Sequence, residues 1–188
     1  MLNKFVVVIM SLALLASVAV AQQNAPATPS APPTVAVILD RQLSTLEKEM
    51  VPMGTDMPDS KFNFVPSDGG DFKGVRGFGD QLKHAAMVNY RVSGAILQEK
   101  PPMPADMASL KSKDEIMKVF QDSFTYAHKA FATITEKNLV EQIPAPSGNG
   151  MQTRLGLAVL LIGHDRDHYG QLVVYLRMNG IIPPASRH

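Results

Sequence analysis

The 188-residue chain contains no cysteine and no tryptophan, and aromatic residues make up only 6% of it. Without thiols, no disulfide framework braces the fold, and no thiolate serves as nucleophile or metal ligand. Any metal site must therefore draw on histidine and carboxylates. Charge of one sign is also lacking. Eighteen Lys and Arg face seventeen Asp and Glu, for a formal net charge of +1. With no basic run and few aromatic rings to stack on bases, nucleic acid is not an expected partner. There is no Gly-rich phosphate loop, no nucleophile elbow and no internal repeat.

One apolar run stands out. Phe5–Ala16 is apolar apart from Ser11, follows the single charge of Lys4, and precedes Ala19-Val20-Ala21. A short apolar core ending in an A-x-A motif reads as a secretory signal peptide, residues 1–21, cut after Ala21. The expected location is the periplasm or the exterior, with no membrane span left after cleavage. Residues 22–33 are rich in Ala and Pro and read as a tether. The domain is expected over residues 34–188, enough chain to bury one ordinary core.

Four segments carry helical periodicity. In Val35–Met50, Leu39, Leu43, Leu46 and Met50 fall on one face. Val51–Gly79 is expected to be a connection, broken by Pro52, Pro58 and Pro66, with Phe62–Val65 extended over one end of the bundle. The second helix is expected from Val75 to Gln98, apolar around most of its girth, with Asn89 interrupting the stripe. The third starts after Ser112, where Ser112 and Glu115 have capping-box spacing, and its stripe runs through Met117, Phe120, Phe124, Ala127, Phe131 and Ile134. The fourth covers Met151–Asn179, with Gly180 placed to end it. No strand alternation is evident, so the fold class is all-α, a four-helix bundle. An extended link over Glu99–Lys111 reaches about 45 Å, longer than a helix of about 33 Å, so the second and third helices can run parallel or antiparallel.

The chemistry concentrates in Gly163-His164-Asp165-Arg166-Asp167-His168. Histidines four apart share a helix face, here continuous with Leu157, Leu161, Gln171 and Tyr175. Two imidazoles where the pattern calls for apolar residues carry a desolvation cost that a bound divalent metal offsets. The third ligand is sought among His84, His128 and His188. His188 is terminal, and His128 flanks its stripe, whereas His84 lies mid-helix among apolar residues and is favoured. His84, His164 and His168 without a fourth protein ligand leave one coordination position for water or a substrate atom. Asp165 and Asp167 are expected on the solvated surface. Tyr169 and Gln171 lie within a turn of His168 and are candidates to support it. The eleven methionines raise the thought of copper, but their places in core stripes suit packing.

The stretch His164-Asp-Arg-Asp-His168-Tyr-Gly-Gln171-Leu-Val-Val-Tyr-Leu-Arg177-Met-Asn-Gly180-Ile-Ile-Pro183-Pro184 resembles the last helix of DinB-like (YfiT-like) proteins. Phe78–His84 resembles that family's second helix, and Lys61–Pro66 the loop before it. The resemblance covers Val35–Pro184. It implies an up-down-down-up bundle holding zinc or nickel through His84, His164 and His168. It further implies a metal-dependent thiol transferase using a low-molecular-weight thiol such as bacillithiol or mycothiol, or a metal-dependent hydrolase acting on a small molecule. An export signal counts against a cytosolic thiol as co-substrate. The alternative is an exported helix bundle that binds a metal or small molecule without catalysis. Pairing of two copies through an exposed helix face is compatible with the sequence.

Overall fold

The structure is a computed structural model that describes residues 31–66 and 74–187. The signal peptide and nearly all of the tether expected at residues 1–33 lie outside the described residues, as does His188. Four helices form the domain: α1 (Val35–Asp56), α2 (Phe78–Leu97), α3 (Lys113–Phe131) and α4 (Arg154–Met178). Between α3 and α4 stands a two-stranded antiparallel hairpin, β1 (Gln142–Pro144) with β2 (Met151–Thr153). No described helix is long and apolar enough to cross a membrane.

Helix directions follow from the contacts. The carboxylate of Glu136, just past α3, accepts from the first amide of α1 (Val35), and Lys113 reaches the Thr55 and Met57 carbonyls at the other end, so α1 and α3 are antiparallel. Lys83 donates to Leu110, and Tyr126 donates to Glu99, so α2 and α3 are parallel. Tyr175 donates to the Arg76 carbonyl while His84 meets His164, so α2 and α4 are antiparallel. The order is up-down-down-up, and residues 98–112 cross the length of the bundle. Gln98 turns out of α2 in the left-handed conformation, with φ +55°.

The core is a single cluster of buried side chains contributed by all four helices, with Leu43, Leu46, Phe120, Phe124, Leu157 and Leu161 fully enclosed. The capping box at the start of α3 is present: Ser112 Oγ accepts from the Glu115 amide, and Glu115 accepts from the Ser112 amide. Gly180 follows α4 with φ +74°.

Three expectations are corrected. First, α1 does not end at Met50 but continues through Pro52 to Asp56. A proline inside a helix removes one hydrogen bond and costs about 3 kcal/mol. Met50, Met53 and Met57 are fully buried along the same face, and burying side chains of this size yields about 1.5–3 kcal/mol each, which exceeds that cost. Gly54 lets this last turn approach α3, because a Cβ there would lie 2.2 Å from Met117 Sδ. Second, Phe62–Val65 is not an extended strand. It follows a 3-10 turn at Asp59–Lys61, and Phe62 and Phe64 pack edge-on against Phe78 and Tyr175. The carbonyls of Phe64 and Phe62 then accept from the amides of Phe78 and Gly79, capping an α2 N-terminus that has no side-chain cap. Third, Met151–Thr153 is strand, and α4 starts at Arg154, where the Thr153 hydroxyl accepts from the Gly156 amide.

Candidate metal centre

His84 stands in the second turn of α2, and His164 and His168 stand one turn apart on α4. Because the two helices are antiparallel neighbours, the three rings converge. His164 Nε2 is 3.2 Å from His84 Nε2 and 3.2 Å from His168 Nε2. An ion held tetrahedrally at about 2.0–2.1 Å from each nitrogen spaces its ligand atoms by about 3.3–3.4 Å. These two separations lie close to that edge length, and one ligand atom of each ring falls within 4.8 Å of the others. Among the described residues no carboxylate or fourth histidine joins the cluster. His168 is buried, whereas His84 and His164 keep partial exposure, so solvent reaches the site past those two rings.

The orientation of His168 is fixed by a directed chain of hydrogen bonds. Gln171 Nε2 donates to Asp167 Oδ2 at 2.9 Å, and Gln81 Nε2 donates to Gln171 Oε1 at 2.6 Å. Gln81 Oε1 is thus left facing His168 Nδ1 at 2.6 Å, and a carbonyl oxygen can only accept. His168 therefore carries its proton on Nδ1 and presents a bare Nε2 lone pair to the centre. Gln171 reaches the histidine only through Gln81, and Tyr169 is not part of the chain.

His164 has a different support. Its Nδ1 is buried without a hydrogen-bond partner, and Asp165 Oδ1 lies 3.6 Å away, beyond hydrogen-bonding distance but close enough to favour a proton on Nδ1. Asp165 is fully buried, which corrects its expected place on the solvated surface; only Asp167 is exposed. α4 is apolar over more of its circumference than the single histidine stripe, and Asp165 falls on that wider buried face beside Ala158, Leu161 and Leu172. With its amide oriented so that the nitrogen faces the carboxylate, Asn89 donates to Asp165 Oδ2 and Oδ1 at 3.1 and 3.3 Å, and its oxygen faces Ser123 Oγ at 3.3 Å. Burial raises the Asp165 carboxyl above its ordinary value, opposed by His164 and Asn89.

The same physics acts on the imidazoles. Burial lowers the His168 pKa to about 4, assisted by the neighbouring His164 and His84. His84 is lowered by burial, by the positive charges of Arg76 and Arg91, and by the neighbouring His164. Both rings are thus neutral at pH 7, the form that binds a cation.

His128 is not brought to the cluster. It sits between α1 carboxylates, with Nδ1 2.5 Å from Asp40 and Nε2 3.1 Å from Glu47. Gln81 was not singled out by sequence reasoning, although it lies one turn before His84 on the same face, and a buried amide at that spacing was the available signal. Asn89 was identified as a polar interruption, but its partner Asp165 was not.

This geometry defines an all-helical bundle with a three-histidine cluster between its second and fourth helices. The sequence profile of the DinB superfamily matches residues 42–172, and the chain belongs to that superfamily. A DinB-like protein from Bacillus cereus is 18% identical, with a TM-score of 0.65 over 80% of this chain and 96% of that one. A second, from Bacillus subtilis, is 14% identical, with a TM-score of 0.61 over 80% of this chain and 99% of that one. These likenesses establish the fold. No match is found among curated proteins.

Proposed function

We propose that this chain is an exported, metal-dependent enzyme of the DinB superfamily, a hydrolase or transferase acting on a small molecule. His84, His164 and His168 hold zinc or nickel. The observation that carries this reading is the convergence of three imidazoles, with His164 Nε2 3.2 Å from both His84 Nε2 and His168 Nε2 and one ligand atom of each ring within 4.8 Å of the others. The tautomer lock on His168 through Gln81 supports it, because a ring whose Nδ1 proton is engaged offers Nε2 only as an acceptor or ligand. A divalent ion held there supplies Lewis acidity toward a carbonyl or activates a nucleophile. The protein's own residues do the rest. Gln81 orients His168, the Asp165 carboxylate lies 3.6 Å from His164 Nδ1, and burial keeps His84 and His168 neutral. The exposed side of His84 and His164 admits the substrate. The A-x-A motif at Ala19–Ala21 supports export, which favours water over a cytosolic thiol as the second reactant.

The test is elemental analysis of the purified protein, followed by assays against ester, amide and thiol-conjugation substrates. One equivalent of zinc or nickel is expected in the wild type and none in His164→Ala. Activity that survives His164→Ala rules out the enzyme reading. Tight metal binding without turnover on any substrate class points to a metal carrier.

A further inference from the structure

Beside the histidine cluster a groove opens between α2 and α4, with a volume of about 300 Å3. It begins one turn from the metal-binding rings: Val88 stands four residues after His84, and Leu160 stands four before His164. Buried Leu157 contributes to its lining, and Ala145 and Pro146 from the hairpin stand across it. Leu160 is a large apolar side chain left 49% exposed at this position, which an apolar ligand would cover.

Arg91 lines this groove and also the adjoining cavity of about 430 Å3, which contains Lys100. It lies two turns beyond His84 on the same face of α2, about 10 Å along the helix axis. Among the described residues Arg91 has no carboxylate at ion-pair distance. Glu99, the carboxylate lining the same cavity, is engaged by Lys129 and Tyr126. The groove thus starts one helical turn from His84 and His164 and follows apolar walls to Arg91, a cation without an ion-pair partner among the described residues.

We infer that the groove binds a small amphipathic carboxylate, with an apolar body about 10 Å long between a metal-side reactive group and an anionic end at Arg91. This rests on the metal reading of the histidines for the reactive end only; the apolar walls and Arg91 act without a metal. The anionic end separates this ligand class from neutral esters and amides of the same length. Arg91 touches the ligand far from the reacting atoms and is a specificity residue.

The experiment is calorimetric titration of the zinc-loaded full chain with two probes: suberic acid monohydroxamate and octanohydroxamic acid. They share the metal-binding end and chain length and differ in the distal carboxylate. Suberic acid monohydroxamate is expected to bind about fivefold tighter, the scale of a solvent-accessible ion pair. The difference should vanish in Arg91→Ala, and Leu160→Glu should weaken both probes. Both side chains are exposed, so the variants should fold; circular dichroism checks this. Equal binding of the two probes by the wild type, or a difference that persists in Arg91→Ala, overturns the inference. If the chain takes up no zinc, the metal reading fails by itself. Octanoate against octanol on metal-free protein then decides the groove: a preference for octanoate abolished by Arg91→Ala upholds it, and no preference overturns it.

Discussion

Gln81 holds the buried His168 imidazole in one tautomer, with Nε2 free toward the cluster. Replacing its amide by an apolar group of similar shape removes that constraint and leaves the His168 Nδ1 proton without an acceptor. Gln81→Leu is expected to weaken zinc affinity by about 10–100-fold while the helix content is retained, measured by competition with a chromogenic chelator. Protons compete for the same lone pairs. In the metal-free protein, His168 and His84 resist protonation when folded, whereas the unfolded imidazoles titrate near 6.5. Between that value and about 4 the unfolded chain binds more protons, so stability falls as pH drops through the window. Buried Asp165, raised by desolvation, acts in the opposite sense, because it favours the folded state as it takes up a proton. Urea unfolding in chelator at a series of pH values checks the net slope. Asp165→Asn is expected to steepen the loss on acidification, and a flat profile in that variant contradicts the assignment.

At the scale of elements, the last turn of α1 shows packing overriding local preference. Pro52 interrupts the backbone ladder, yet the helix continues because Met53 and Met57 complete the buried stripe that begins at Leu39. Pro52→Ala restores the missing donor and should raise stability by about 1–3 kcal/mol, read from the urea midpoint at unchanged m. No gain would show that the ring itself fills space in the bundle. The capping box of α3 and the core stripe from Met117 to Phe131 were legible in the sequence, because each depends on residues within one or two turns. The end of α1, the 3-10 turn before Phe62 and the strand at Met151–Thr153 were not. Their outcome depends on what packs against them: Met117 and Leu82 for α1, Phe78 for Phe62, and Gln142–Pro144 for β2.

At the scale of the whole molecule, the histidine cluster joins α2 to α4, two elements brought together by the long crossing between α2 and α3. An ion bound only by the folded arrangement stabilises it by mass action. At 100 times the dissociation constant of free zinc, that is about 2.7 kcal/mol, and the Tm should rise with zinc concentration. Wild-type protein is expected to melt lower in chelator. His84→Ala should show no such shift, because it removes the one histidine of the cluster that α2 contributes. Equal melting of the wild type with and without chelator would leave a packed bundle and no metal centre.

By itself the sequence determined the four helices, the main apolar stripe of each, and the histidines at 84, 164 and 168 as candidates, because helical periodicity and local caps act over a few residues. The tertiary structure decided the direction in which the second and third helices run. It also decided that Gln81 supports His168, that Asp165 is enclosed rather than solvated, and that Arg91 lines a groove between α2 and α4. Those outcomes depend on contacts between segments some 35 to 90 residues apart, whose desolvation and directed hydrogen bonds exist only once the helices have packed.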